Sequence, residues 1–178
     1  MMNIRKQLSG FALIATLSFF ACSNNTNKTA DAQSNNKQTE LNSTSPKFEN
    51  AKLNEIYTQY ISLKTALVND HAEEANTSAK MLYNAIENSQ LNDVLPIAKQ
   101  MVEAPDLTVK RAHLDELSNI LATHFKNEKI TSGVIYKQFC PMANDGKGGF
   151  WLANEAEIQN PYYGQKMSTC GSVEEEIK

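Results

Sequence analysis

Phe139-Cys140-Pro141-Met142-Ala143 opens a terminal stretch that runs through a glycine-rich turn and Trp151 to Asn160-Pro161-Tyr162-Tyr163-Gly164 and Met167-Ser168-Thr169-Cys170-Gly171. How this stretch is read decides the fold class. No helical or strand period explains its composition. Val134-Ile135-Tyr136 can form one short strand, but one strand does not make a sheet. Residues 130–171 are therefore read as irregular, and the class is set by what precedes them.

What precedes them is helical. Leu53, Ile56, Tyr60, Leu63 and Leu67 recur at three and four residues between Phe48 and Asn69, giving one apolar stripe. Asp70, with Glu73 three residues on, resembles a capping box that starts a second helix running to about Asn88. Its inner stripe is Ala72, Ala75, Ala79, Leu82 and Ile86. A third, short helix is expected over Asp93–Ala104, with Pro96 tolerated in its first turn. Pro105-Asp106 opens a fourth, through about Asn127, carrying Leu107, Leu114, Leu117, Ile120, Leu121 and Phe125 on one side. Four amphipathic helices with short connections imply an all-α chain, an antiparallel bundle of about four helices with an irregular Cys/Met-containing C-terminal segment.

The chain of 178 residues suits one domain with tails. Arg5 and Lys6 precede the apolar run Phe11–Phe20, which is too short for a span of about 20 residues. The run ends at Ala21-Cys22, the pattern of a bacterial lipoprotein signal. The expected order is a signal peptide over 1–21, lipidated Cys22, a disordered tether over 22–46, and a helical domain over 47–172. The tether is almost devoid of apolar residues and cannot offset its ordering entropy. Cleavage removes Arg5 and Lys6 and no acid, so the formal charge moves from -3 to about -5. An acidic chain with no basic run after residue 6 excludes nucleic acid as a partner. Acyl chains, rather than charge, hold such a protein at a membrane.

The candidate chemistry lies in sulfur. Cys140 and Cys170 are the only cysteines beyond Cys22, and each has a methionine nearby, Met142 and Met167. If the first segment is extended, Cys140 and Met142 share a face. If the second is a helical turn, Met167 and Cys170 do. Met81 and Met101 fall in helical patterns and are read as core. Two thiolates with two thioethers form a soft set suited to Cu(I) or Ag(I); Zn takes thiolate and imidazole but rarely thioether. In an oxidising envelope the same cysteines also suit a disulfide, whose loop of about 30 residues stabilises by roughly 3–4 kcal/mol in the chain-entropy model. Trp151 and the Pro161–Gly164 turn can shield the site or form a small satellite core. His113 and His124 are about three turns apart on the fourth helix, roughly 16 Å along its axis, so at most one, taken as His124, joins the sulfur set. His71 is read as exposed, and Glu174-Glu175-Glu176 as a solvated tail. No Gly-x-Ser-x-Gly, His-Glu-x-x-His or phosphate loop is present, which argues against an enzyme.

Gln138–Ala143, Gly148-Gly149-Phe150-Trp151-Leu152, Ile158–Gly164 and Met167–Gly171 resemble the signature of a bacterial envelope domain of unknown function. That domain occurs as free lipoproteins and at the C-terminus of periplasmic adaptor subunits of copper/silver-type efflux pumps. Tyr60–Val68 and Leu114–Ser118 resemble its helices, so the likeness spans about residues 50–172. It implies a helical domain in heavy-metal handling, with an efflux adaptor as partner; the expected place is the periplasmic side of the envelope, at the outer rather than the inner membrane. Members often carry histidine before Cys-Pro-Met, where this chain has Phe139.

Overall fold

The computed structural model describes residues 45–178. The expected signal peptide, Cys22 and nearly all of the tether lie outside the described residues. Three long helices and one short one stand close to where their apolar periods put them: α1 (Ala51–Val68), α2 (Ala72–Glu87), the short α3 (Leu95–Glu103) and α4 (Leu107–Lys126). Leu53, Ile56, Tyr60, Leu63 and Leu67 are all buried, as are Ala75, Ala79, Leu82 and Ile86. None of the described helices is long and apolar enough to cross a membrane.

The all-α expectation is wrong. The chain is a mixed α/β domain with two antiparallel sheets. A small one pairs β1 (Lys47–Phe48) with β2 (Ile130–Ser132) and ties the entry of α1 to the exit of α4. The larger has three strands in the order β4-β3-β5: β3 (Ile135–Cys140) lies between β4 (Gly149–Ala153) and β5 (Ser172–Ile177). A third of the segment read as irregular is thus strand, and Glu174-Glu175-Glu176 is no loose tail but the body of β5. Tyr136 pairs with Glu176 and Lys137 with Glu175, while Lys126 reaches Glu175 at 2.6 Å and Ile177 is buried. Neighbouring strand, counter-charge and a buried end together convert an acidic terminus into a strand, overriding its poor intrinsic propensity.

β4 is an edge strand, yet its outer edge is closed by side chains from α1, α4 and the Pro161–Gly164 turn. Asp115 accepts the Phe150 N–H at 2.8 Å, Tyr162 donates to the Phe150 carbonyl at 2.6 Å, and Tyr60 Oη accepts the Leu152 N–H at 2.9 Å. Tyr60 then donates to Ser118 Oγ, 2.7 Å away, and Ser118 donates to the Leu114 carbonyl at 2.6 Å. Every member of this buried chain has a partner, and together they tie α1, α4 and β4. Burial pushes the Tyr60 phenol far above its ordinary pKa, which keeps its proton in the chain.

Two cations, Lys110 buried and Arg111 partly buried, fix the helices. Lys110 is fully buried and donates to the Met101 and Ala104 carbonyls at 2.8 and 2.9 Å, closing the C-terminus of α3. Arg111 donates to the Leu67 carbonyl at 2.7 Å, to the Pro161 carbonyl at 2.7 Å and to Asp70 Oδ1 at 2.5 Å. The expected capping box at Asp70 does not form. The N-cap of α2 is His71, without a side-chain bond to the helix, and Asp70 takes a positive φ of 59° with its carboxylate turned to Arg111 and to the Gln165 N–H. A cation from α4 outcompetes the local helix for that carboxylate. His71 is exposed, as expected, with Nδ1 at 2.8 Å from Glu74. Met101 is core; Met81 is half exposed rather than buried, since α2 turns that side to solvent.

Candidate functional site

Cys140 is the last residue of β3, paired across the sheet with Gly149 of β4. Alternation along β3 sends Gln138 and Cys140 inward, and both are fully buried. Phe139 between them points to the other face, stacked on Phe150 with ring centroids 4.5 Å apart. A histidine at position 139 would also stand on that outer face, so Phe139 removes no donor from the side of the Cys140 thiol.

Cys170 arrives just before β5, whose Ser172 pairs with Phe139. The β3–β5 register therefore brings the two cysteines to the same end of the sheet. Their Sγ atoms lie 3.1 Å apart as free thiols, thirty residues apart in sequence. Cys140 is inside and Cys170 half-buried at the surface. The neighbouring sulfur accepts the Cys170 S–H, which raises the Cys170 pKa above its ordinary value; burial adds to the shift.

The loop that delivers Cys170 is held by a residue that no periodicity or spacing singles out. Asn160 is fully buried; its Nδ2 donates to the Cys170 carbonyl at 2.7 Å, its Oδ1 accepts the Tyr162 N–H at 2.8 Å, and its own N–H donates to the Ser168 carbonyl at 2.7 Å. Asparagine is needed for this because one side chain must give and take a hydrogen bond at once. Its one legible sign was its place before Pro161 inside the terminal signature. Gly171 follows at φ 143°, and a Cβ there would stand 2.8 Å from both Trp151 Cη2 and the Phe139 carbonyl oxygen.

Trp151 is fully buried, in edge contact with Tyr162 at 6.0 Å between centroids. Both belong to the main core rather than to a satellite cluster. Trp151 thus backs the loop just beyond Cys170. Tyr162 also passes over Gly149, where a Cβ would lie 2.5 Å from the ring.

The methionines stand differently from the sequence premises. The chain leaves β3 at Cys140, and Met142 has helical dihedrals (φ -87°, ψ -12°), so the segment from Cys140 to Met142 is not extended. Met167 follows a 3₁₀ turn over Gly164–Lys166, and the Cys170 N–H returns to its carbonyl at 3.5 Å. That turn, rather than a helix, keeps Met167 and Cys170 close. Tyr163 donates a short hydrogen bond to the Met142 carbonyl, pinning the Met142 backbone to the Pro161–Met167 segment. Both methionine side chains are exposed, Met142 at 50% and Met167 at 38%.

His124 is elsewhere. Its Nε2 sits 2.9 Å from both carboxylate oxygens of Asp93, and it lines a surface hollow with Asn50, Leu53, Asn88, Leu91 and Glu128. Asp115, which meets the N-terminal end of β4, is nine residues earlier on α4, about 13 Å along the helix axis. The structure brings Cys140 and Cys170 together and leaves His124 out. Among the described residues, no group of three or more His, Cys, Asp or Glu side chains forms a metal cage.

No curated protein and no solved structure matches this chain. Residues 56–133, from within α1 to just beyond β2, match the model of a family described as a protein of unknown function, DUF3347. The match bears out a domain of unknown function for the helical part and ends before Cys140.

Proposed function

We propose that this is a lipid-anchored cell-envelope protein that binds a soft monovalent cation, Cu(I) or Ag(I), at the Cys140–Cys170 pair. Its role is to sequester the ion or hand it to a heavy-metal efflux system. It acts as a binding protein rather than an enzyme. One observation carries the reading: two free thiols converge to 3.1 Å from distant parts of the chain, one buried and one at the surface. Metal–thiolate bonds of about 2.3 Å hold two sulfurs about 3.8 Å apart in tetrahedral geometry and about 4.6 Å apart in linear geometry. Loading therefore asks the sulfurs to part by about 0.7 Å in tetrahedral geometry and about 1.5 Å in linear geometry. The Met167–Cys170 turn supplies that movement, because β3 holds Cys140 rigidly.

Met142 and Met167 are the thioether donors of this reading. Their exposure suits side chains that first meet the ion and pass it inward to the thiols. Cu K-edge absorption on the Cu(I)-loaded protein tests the site: only sulfur neighbours at thiolate and thioether distances are expected. A shell of nitrogen or oxygen neighbours would exclude it. The anchor is tested separately, by incorporation of labelled fatty acid that Cys22→Ser abolishes.

A second reading rests on the same distance. A disulfide needs its sulfurs at about 2.05 Å, so the pair is also about 1 Å from bonding. In that state the domain is a stapled module whose helical face serves a protein partner. Counting free thiols on protein taken from the envelope separates the two states.

A further inference from the structure

The two thiols are close but not equivalent. Cys140 is fully buried, framed by Gly149 across the sheet and by the core. Cys170 reaches the surface from a loop, between the Met167 turn and Gly171. An external disulfide can meet Cys170 and cannot meet Cys140. In a mixed disulfide on Cys170, the foreign sulfur must lie on the solvent side, opposite Cys140. That is the arrangement thiol–disulfide exchange requires, with attacking, central and leaving sulfurs in line.

We propose that Cys170 and Cys140 form an ordered exchange pair, in which Cys170 takes the first bond to an external disulfide and Cys140 resolves it. Cys170 gives its proton to solvent, and its thiolate attacks one sulfur of a small disulfide such as glutathione disulfide. That S–S bond breaks, and one thiolate leaves and takes up a proton. Cys140, deprotonated in turn, attacks Cys170 Sγ and expels the second thiol, which is protonated as it leaves. Two protein thiols are oxidised and one disulfide is reduced to two thiols. The final bond closes the 3.1 Å gap to about 2.05 Å. The inference concerns the pair proposed above as the ion site but stands without any metal. A bound ion blocks the exchange, since both need the same sulfur electrons.

The test uses the full chain with Cys22→Ser, so that only the two thiols report, metal-free in the presence of a chelator. Glutathione disulfide is the probe, and intact mass the readout. With Cys140→Ser added, a stable glutathionyl adduct is expected on Cys170. With Cys170→Ser instead, adduct on Cys140 is expected to form at least about tenfold more slowly, because reactivity follows access. The chain with both thiols should pass to an internal disulfide without accumulating adduct. Equal rates for the two variants, or an adduct that persists when both thiols are present, would overturn the proposal. Limited iodoacetamide labelling of the chain with both thiols guards against misfolded variants: Cys170 must be labelled first, and equal labelling also overturns it. Because no metal is present, failure here leaves the ion-binding reading untouched, and the converse holds.

Discussion

Arg111 and Asp70 meet at 2.5 Å across the domain, α4 reaching the turn between α1 and α2. The same guanidinium donates to the carbonyls of Leu67 and Pro161, and the same carboxylate accepts the Gln165 N–H. The contact therefore anchors the Pro161–Gln165 segment, and through it the loop that carries Cys170. Hydrogen bonds to Arg111 and Gln165 hold the Asp70 carboxyl below the usual carboxylate range. A depressed folded-state pKa gives stability that is present above the unfolded value, about 3.9, and lost as pH falls through the folded one. The stability gap between the native chain and Asp70→Asn should thus be constant above about pH 5 and shrink below about pH 4. Urea unfolding across that range checks it; a gap independent of pH would refute it.

Asn160→Ala leaves the Cys170 carbonyl and the Tyr162 N–H without their partner. Breaking such buried hydrogen bonds costs about 1–3 kcal/mol. The loop should loosen as well, so disulfide closure by a mild oxidant should slow relative to the native chain. Denaturant unfolding gives the first quantity and a thiol count against time the second. A stability loss with unchanged closure would show that the loop is held by other means.

Lys110→Ala strips the cation from the end of α3 and opens a space in the core. Two carbonyls lose a charged donor, worth about 1.5–3 kcal/mol, and the buried stem is lost too. Lys110→Met keeps most of the packing and should recover part of the loss. Thermal unfolding of the pair separates the two contributions. A melting temperature unchanged in Lys110→Ala would contradict the structure.

Trp151 is the chain's single tryptophan and lies beside the residue that follows Cys170. Its emission should change when the thiol pair is oxidised and return on reduction. Gly171→Ala should abolish that coupling and destabilise by about 1–3 kcal/mol, because it forces a side chain into a strained φ and against the indole. Fluorescence during a redox titration gives the first result and thermal melting the second.

The helices were legible because a period of 3.6 residues is written locally, in Leu53–Leu67 and Leu114–Phe125, and their observed bounds fall within two or three residues of those expected. The sheet was not. Gly149–Ala153 is five residues opening on a glycine pair and carries an apolar run no longer than a turn, and Ser172–Ile177 has three glutamates. Both become strands through β3, whose pairings span up to about forty residues, and through Asp115, Tyr60 and Tyr162 closing the β4 edge. Such long-range partners leave no periodic trace. In the site, the cysteines announced themselves by scarcity. Asn160 and Arg111 did not, because their work is done on carbonyls remote in sequence. For His124, helical spacing places a side chain on a face without saying which neighbour, here Asp93, it meets.

Cu(I) titration of the reduced chain carrying Cys22→Ser, against a competing chelator, tests the central claim most directly. One ion per chain is expected, with binding lost in Cys140→Ser and in Cys170→Ser and weakened by Met142→Ala with Met167→Ala. Full affinity in either cysteine variant would contradict the account of a shared thiol pair, and an affinity unchanged by removing both methionines would eliminate the four-sulfur site.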